Sequence, residues 1–205
     1  MKKVICFDLD GTLTESKTDI TSEMTNLLAE LQKIKIVAVI GGASFKQFEK
    51  QFLRYITYHN NLYILPTSGA SFYKYENGQW CLIYKRILSQ AEEKNILEAF
   101  DQTFKEINYQ SPTKTYGPII EVRDECEVAF SVLGQLAPLS ERKTLKKEDD
   151  RRPEIIEHLK QKLPHFKISL SGVNTIDITR KGIDKGFAIE QIEKYFKVSK
   201  EEMVF

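Results

Sequence analysis

A short apolar run near the start of the chain, followed at once by two carboxylates, constrains this fold more than any other stretch. Val4 to Phe7 is four residues long and β-branched at two positions, as is typical of a strand buried on both faces of a parallel sheet. It leads directly into Asp8 and Asp10, and Gly11 then permits a tight turn. Open α/β sheets bind ligands at the carboxyl ends of their strands, so we expect both carboxylates to project into such a crevice.

Two carboxylates at the carboxyl end of a strand are suited to phosphoryl transfer. One carboxylate can attack phosphorus, a divalent cation can neutralise the charge of the phosphate, and the second carboxylate can move a proton to or from the alcohol oxygen. The alternative is an Asp-Gly turn that follows a strand and binds nothing, which is common in α/β proteins.

A glycine-rich turn follows the second predicted strand. The strand covers residues 35–40 and is a continuous apolar run after Lys35, and Gly41, Gly42, Ala43 and Ser44 come next. Such a turn lets backbone N–H groups and a hydroxyl approach an anion closely, which predicts phosphate binding by Gly41, Gly42 and Ser44. The alternative is a close-packed turn without a ligand.

A lysine near the end of the chain is the third candidate. Lys185 precedes Gly186 at the predicted start of a helix. There it could bring a fixed positive charge to a phosphate and to a nucleophilic carboxylate. The alternative is a solvated lysine, which is the usual state of lysines at helix starts.

The first helix is predicted to begin after Thr18 or Asp19, because either side chain can cap it. The apolar residues assigned to its inward face keep helical spacing. They are Ile20, Met24, Leu27, Leu28 and Leu31.

The order of predicted elements divides the chain into two parts. Buried strands first alternate with helices, and a hairpin is centred on Asn77 and Gly78. The order then changes to α-β-β-α-β-β with short turns, which is typical of an α+β domain. We therefore predict an α/β fold in which residues 1–83 and 183–205 form a Rossmann-like parallel-sheet core and residues 84–182 form an inserted α+β cap domain.

The composition narrows the functional classes. The chain has 30 basic and 29 acidic residues, so we expect a soluble globular protein that binds neither nucleic acid nor membrane. Residues 141–152 are highly charged but of mixed sign, which favours a solvated loop or helix start over a phosphate-binding patch. No apolar run approaches the roughly 18 residues of a membrane span. Because a predicted strand begins next to Met1, we expect no signal peptide.

The three cysteines, Cys6, Cys81 and Cys126, lie far apart and have neither metal-site nor disulfide-framework spacing. We expect all three to be reduced and the protein to be cytoplasmic.

The DLDGT sequence after a hydrophobic strand resembles the nucleophile motif of the haloacid dehalogenase superfamily. The resemblance implies that Asp8 is the nucleophile and Asp10 the general acid/base. It also implies that Mg²⁺ binds the Asp8 carboxylate and the Asp10 backbone carbonyl. The turn that ends in Ser44 corresponds to the second motif of the superfamily, where a hydroxyl holds the transferred phosphate, and Lys185 corresponds to the third.

Within this superfamily, the order of elements in the cap and several short sequence motifs resemble the subfamily with α+β caps. In that subfamily they resemble the eukaryotic-type phosphomannomutases. The matching pieces are FDLDGTLT, VIGGAS, the SGA turn with its YENG hairpin, IEVR, FSVLG and NTID. In that family the cap binds the distal phosphate of a sugar phosphate with arginines. The resemblance carries substrate binding to Arg123, Thr175 and Asp177, and it leaves open a homodimer formed through the cap.

Two departures from the family pattern affect the predicted reaction. Tyr116 and Gln135 stand where the mutase pattern has arginines. We therefore expect a phosphatase of hexose phosphates slightly more than a phosphomannomutase, with a non-catalytic phosphosugar-binding homologue as the contrasting class. The acidic GD…ND motif of the superfamily would follow a strand such as Val204-Phe205, and the sequence ends there. From this we expect a core whose C-terminal part is incomplete and binds Mg²⁺ weakly.

Overall fold

A computed structural model describes residues 1–15, 18–143 and 150–205. The middle of the charged stretch, residues 144–149, therefore lies outside the described residues. The chain divides into two compact units, one of residues 1–86 with 183–205 and one of residues 87–182.

The first unit, here called the core, is built on a six-stranded sheet. Its strands are β1 (Val4–Asp8), β2 (Ile36–Ile40), β3 (Leu62–Leu65), β4 (Ser71–Glu76), β5 (Gln79–Lys85) and β10 (Met203–Val204). Their spatial order is β10-β1-β2-β3-β4-β5. The first four strands in this order are parallel, and the β4–β5 hairpin adds an antiparallel edge.

Both faces of the core sheet are buried, as the continuous apolar runs predict. Val37 and Val39 of β2 pack into one apolar cluster, whereas Ala38 and Ile40 pack into another. The helices of this unit are α1 (Ser22–Gln32), α2 (Phe45–Gln51) and α6 (Lys185–Phe196). The α/β class of the core is thereby confirmed.

The start of the first helix differs from the prediction. Thr21, and neither Thr18 nor Asp19, caps α1, because its hydroxyl accepts a hydrogen bond from the Met24 N–H at 3.3 Å. Leu27 is 59% exposed, so it lies outside the inward face to which helical spacing assigned it.

The second unit, here called the cap, is a four-stranded antiparallel sheet with helices. Its elements are α3 (Gln90–Glu106), β6 (Ile120–Arg123), β7 (Glu127–Ser131), α4 (Leu139–Lys143), α5 (Arg152–Lys162), β8 (Phe166–Ser171) and β9 (Thr175–Arg180). The spatial order of the strands is β6-β7-β9-β8. The sequence estimate of 84 for the start of this unit falls within β5.

Alternation along the cap strands separates an apolar face from a polar one. Val128 and Phe130 of β7 pack into one cluster with Ile96 and Phe100 of α3 and with Leu159 of α5. The intervening residues of β7 and β9 are polar or small and form the opposite face. They are Glu127, Ala129, Ser131, Thr175, Asp177 and Thr179.

Within the described parts of the chain, none of the helices has the length and apolar character that a bilayer crossing requires.

Candidate active site

Strand register places three candidate residues at one edge of the core sheet. Asp8 is the last residue of β1 and lies opposite Ile40, the last residue of β2. Gly41 follows, and its N–H donates to the carbonyl of Leu65 at the end of β3. The carboxyl ends of β1, β2 and β3 therefore lie side by side, which is where parallel sheets bind ligands.

Lys185 lies against Asp8, although the two residues are 177 positions apart in sequence. It is the first residue of α6, whose N-cap Asp184 accepts a hydrogen bond from the Phe187 N–H at 3.0 Å. The Lys185 ammonium pairs with Oδ2 of Asp8, while the Leu9 N–H donates to Oδ1 at 2.9 Å. These two donors fix the orientation of the Asp8 carboxylate, and its side chain stays 29% exposed and therefore accessible to a substrate.

Asp10 lies in a compact loop after β1. The N–H groups of Leu13 and Thr14 both donate to the Leu9 carbonyl at 3.0 Å, which closes the loop. The carboxylate of Asp10 accepts a hydrogen bond from the Gln51 side chain, with 3.1 Å between Nε2 and Oδ1. The sequence argument missed Gln51. The available signal was its place three residues after Phe48, on the inward face of α2.

The residues of the glycine-rich turn have different surroundings. A Cβ on Gly41 would lie 3.1 Å from the Phe48 ring, so close packing by itself accounts for this glycine. A Cβ on Gly42 would find only the Ser68 hydroxyl, at 3.9 Å, so packing does not explain the second glycine. Ser44 caps α2, since its Oγ accepts from the Gln47 N–H at 3.2 Å. Its own hydroxyl proton is not used by that bond.

A second turn lies against the first one. The N–H of Thr67 donates to the Ala43 carbonyl at 2.9 Å, and the N–H of Ser68 donates to the Gly41 carbonyl at 2.8 Å. Thr67, Ser68 and Gly69 all have positive φ, at 48°, 57° and 90°. This conformation is costly at Thr67 and Ser68, which are not glycines. Their two N–H groups hold the backbone of the glycine-rich turn in place.

The cap residues assigned to substrate binding lie in a buried polar network. Arg123 is 8% exposed. Its Nη1 lies 2.8 Å from Oε1 of Glu127 and 3.3 Å from Oδ1 of Asp177, and its Nη2 donates to Oε1 of Gln135 at 2.8 Å. Thr175 lies on the same face, but its hydroxyl donates to Asn174 Oδ1 at 3.3 Å. The structure therefore brings Arg123 and Asp177 into direct contact, and it adds Glu127, which the sequence argument missed, as a second partner of the same guanidinium.

One guanidinium in this network serves two buried carboxylates. Burial raises the pKa of Glu127, and the nearby Asp177 charge raises it further, although the Arg123 charge acts in the opposite direction. Burial lowers the pKa of Arg123, but Glu127 and Asp177 outweigh that effect and hold it above its usual value. Arg123 thus stays charged, and Glu127 holds its proton more tightly than an exposed glutamate does.

The oxygen atoms at the end of β1 are of the type that Mg²⁺ prefers, namely the Asp8 carboxylate and the Asp10 backbone carbonyl. Among the described residues, there is no group of three or more His, Cys, Asp or Glu side chains that could hold a metal. Mg²⁺ sites in phosphoryl-transfer enzymes usually have one or two carboxylates and take further oxygens from phosphate and water. The donor set therefore fits Mg²⁺.

Comparison with known proteins supports the same chemistry. The family model described as haloacid dehalogenase-like hydrolase matches residues 5–205. A phosphomannomutase of Spinacia oleracea is 26% identical over 200 residues, which covers 95% of this chain and 79% of that protein.

Solved structures share the fold at lower identity. The C-terminally truncated IMP-nucleotidase of Plasmodium falciparum has a TM-score of 0.69 at 16% identity, and a crystal structure from Thermotoga maritima has a TM-score of 0.62 at 18% identity. The matches cover 98% and 99% of this chain. The chain spans 61% of the Plasmodium chain, less than two thirds of its length, and 78% of the Thermotoga chain. The family match over residues 5–205 shows that this chain is an enzyme of the haloacid dehalogenase-like hydrolase family, a phosphotransferase or phosphatase of that kind.

Proposed function

We propose that the chain is a Mg²⁺-dependent phosphatase of hexose phosphates that works through an aspartyl-phosphate on Asp8. The observation that carries the proposal is the contact of Lys185 with Asp8 at the carboxyl end of β1, with Asp10 two residues further on. A carboxylate oriented by a lysine and a backbone N–H is suited to attack on phosphorus. In this proposal the second carboxylate, that of Asp10, transfers a proton to the leaving oxygen.

The first half of the proposed reaction forms the phosphoenzyme. An Asp8 oxygen bonds to phosphorus while the bond from phosphorus to the sugar oxygen breaks, and Asp10 donates a proton to that oxygen. In the second half, Asp10 takes a proton from water as the water oxygen bonds to phosphorus and the bond to Asp8 breaks. The products are the sugar, inorganic phosphate and the original carboxylate.

Other residues near the carboxyl ends of β1 and β2 have supporting roles in the proposed reaction. Lys185, the Gly42 backbone and the Ser44 hydroxyl would hold the phosphate. The Gly41 N–H, which the sequence also assigned to phosphate, is used by its hydrogen bond to the Leu65 carbonyl. Asp8 and the backbone carbonyl of Asp10 would hold Mg²⁺, which enzymes of this superfamily generally use and which supplies neutralisation of the phosphate charge when bound.

The Arg123 network supports hydrolysis over a mutase reaction. A mutase must bind a bisphosphorylated intermediate, so the non-reacting phosphate also needs cationic partners. Arg123 already donates to Glu127, Asp177 and Gln135 and would have to leave them to bind a second dianion. Lys114 offers a point charge only, lies 4.8 Å from the centre of the Tyr116 ring and is 72% exposed.

The second candidate function is phosphomannomutase. What favours it is the similarity to the spinach enzyme of that name. The resemblance of Arg123, Thr175 and Asp177 to the cap motifs of that family points the same way. In both proposals the cap selects the substrate, and Thr175 and Asp177 bind it.

The deciding experiment measures both products at once. The protein is incubated with mannose 1-phosphate, Mg²⁺ and a catalytic amount of hexose 1,6-bisphosphate, and phosphorus NMR follows inorganic phosphate and mannose 6-phosphate. We expect inorganic phosphate to appear first. Mannose 6-phosphate well ahead of inorganic phosphate would establish the mutase instead.

Two aspartate variants test the nucleophile in the same assay. Asp8→Asn should abolish turnover and the acid-labile phosphoenzyme. Asp101→Asn, at an exposed position of α3, is the matched control and should keep full activity. Turnover by Asp8→Asn at the wild-type rate would show that Asp8 is not the nucleophile.

A further inference from the structure

Gln51 is a buried polar residue that faces the proposed proton-transfer group. It is the last residue of α2 and 1% exposed, and it lies between Phe48 and Phe52, which are both fully buried. Burial of an amide is costly unless its hydrogen bonds are satisfied. A glutamine at this position therefore needs specific partners.

The contacts of Gln51 define how its amide is oriented. Its Oε1 accepts a hydrogen bond from Nε2 of Gln47, one helical turn earlier, at 2.5 Å. Its Nε2 consequently faces the loop after β1, where it lies 3.1 Å from Oδ1 of Asp10 and 3.5 Å from the Thr14 hydroxyl. The Gln51 backbone carbonyl also accepts the Ile20 N–H at 2.9 Å, which fixes the base of the side chain.

We infer that Gln51 is a positioning residue that orients the Asp10 carboxyl group for proton transfer, and that Gln47 holds Gln51 in place. The inference rests on the proposed function, in which Asp10 is the general acid and base. The N–H donor holds Oδ1 in one place and so fixes the orientation of the whole carboxyl group. Because an amide does not titrate, Gln51 donates to Asp10 in both halves of the reaction.

This role predicts which chemical steps depend on Gln51. A sugar alkoxide is a poor leaving group and needs a proton from Asp10, whereas p-nitrophenolate leaves without one. Gln51→Leu keeps the volume of the side chain and removes the hydrogen-bond donor. It should therefore lower kcat for hexose phosphates by about 10–100-fold with little change in KM, which is part of the rate enhancement that a positioned acid/base gives. Phosphoenzyme formation from p-nitrophenyl phosphate should stay within about threefold of wild type.

The test separates the two steps in the same preparations. Single turnovers with excess enzyme and p-nitrophenyl phosphate report phosphoenzyme formation through nitrophenolate release. Steady-state phosphate release from mannose 1-phosphate reports the steps that need Asp10. Gln32→Leu is the matched control, because Gln32 is also a buried glutamine, on α1, and its amide atoms have no hydrogen-bond partner among the described residues. It should change neither rate.

A second, milder variant keeps the test possible if Gln51→Leu does not fold. Gln47→Met leaves the Gln51–Asp10 hydrogen bond possible but removes its support, so it should show the same selective loss to a smaller degree. If Gln51→Leu does not fold, Gln47→Met decides by the same two rates.

The outcomes separate this inference from the proposed function. Selective loss with the sugar phosphate supports the positioning role. Equal loss in both assays, or no loss in either, overturns it. If Asp10→Asn itself leaves sugar phosphate turnover unchanged, the assignment of Asp10 as acid/base fails. If Asp10→Asn slows turnover and Gln51→Leu does not, only the role of Gln51 fails.

Discussion

Replacement of Arg123 by methionine tests the buried network of the cap directly. Methionine has a similar reach but no charge and no donors. Arg123→Met would leave Glu127 and Asp177, which are 1% and 8% exposed, without their shared cation. It would also remove the 2.8 Å hydrogen bond to the Gln135 side chain. The cap should lose stability, because buried carboxylates without a partner are strongly disfavoured.

The expected size follows from this geometry. Removal of one partner from a buried ion pair costs about 3–5 kcal/mol in the free energy of unfolding. For chains of 150–250 residues, 1 kcal/mol corresponds to about 2–4 °C in melting temperature. Arg123→Met should therefore lower the melting temperature by roughly 6–20 °C at neutral pH.

The raised pKa of Glu127 determines how the stability difference between Arg123→Met and wild type changes with pH. Burial raises the folded-state pKa of Glu127 above its ordinary value of 4.5, so the stability linked to its bound proton is fully present below pH 4.5. That stability is lost as the pH rises through the folded-state pKa. Without Arg123 the ionised form is disfavoured further, so the deficit of Arg123→Met should grow between pH 5 and pH 9.

Differential scanning calorimetry at pH 5, 7 and 9 measures these differences. Glu127→Gln keeps an oxygen facing Arg123 and removes the surplus carboxylate, so it should gain stability relative to wild type as the pH rises. Arg54→Met is the control, because Arg54 forms an exposed pair with Asp19, and such pairs are worth about 1 kcal/mol or less. A loss below about 1 kcal/mol for Arg123→Met, or a loss that shrinks towards pH 9, would refute the reasoning.

Two further predictions concern single contacts within one unit. The Arg180 guanidinium lowers the pKa of Glu92 to about 2, so the stability it supplies is present above pH 4.5 and lost as the pH falls towards 2. Glu92→Gln should therefore cost about 1 kcal/mol at pH 7 and much less at pH 3 in thermal melts, and an equal cost at both values would contradict the charge argument. Gly69→Ala should cost about 2–4 kcal/mol in urea unfolding, since φ is 90° and the new Cβ would lie 2.5 Å from Cβ of Ala188. Gly78→Ala, with φ at 81° and open space, should cost only about 1 kcal/mol, and equal costs would exclude the packing term.

Local patterns in the sequence were enough to predict the architecture. Continuous apolar runs identify strands buried on both faces, and the run before Asp8 is β1 at the middle of the parallel strands. The change from strands joined by helices to strands joined by short turns marks the α+β segment. A short stretch of sequence is enough to tell these two kinds of connection apart. The ends of helices are harder to predict from sequence than the strands, as the start of α1 shows. Thr18, Asp19 and Thr21 are all suitable caps, and packing of Ile20 into the core selects the last.

The polar partnerships were decided by tertiary structure. Lys185 meets Asp8 because α6 begins at the edge where β1 ends, and Gln51 meets Asp10 across 41 positions of sequence. Glutamates are rarely buried, yet the pairing of β7 between β6 and β9 buries Glu127 beside Arg123. Hydrophobic periodicity assigns a residue to a face, but it does not say which strand lies next to that face. Burial and charge pairing depend on strand order and register, which only the assembled sheets define.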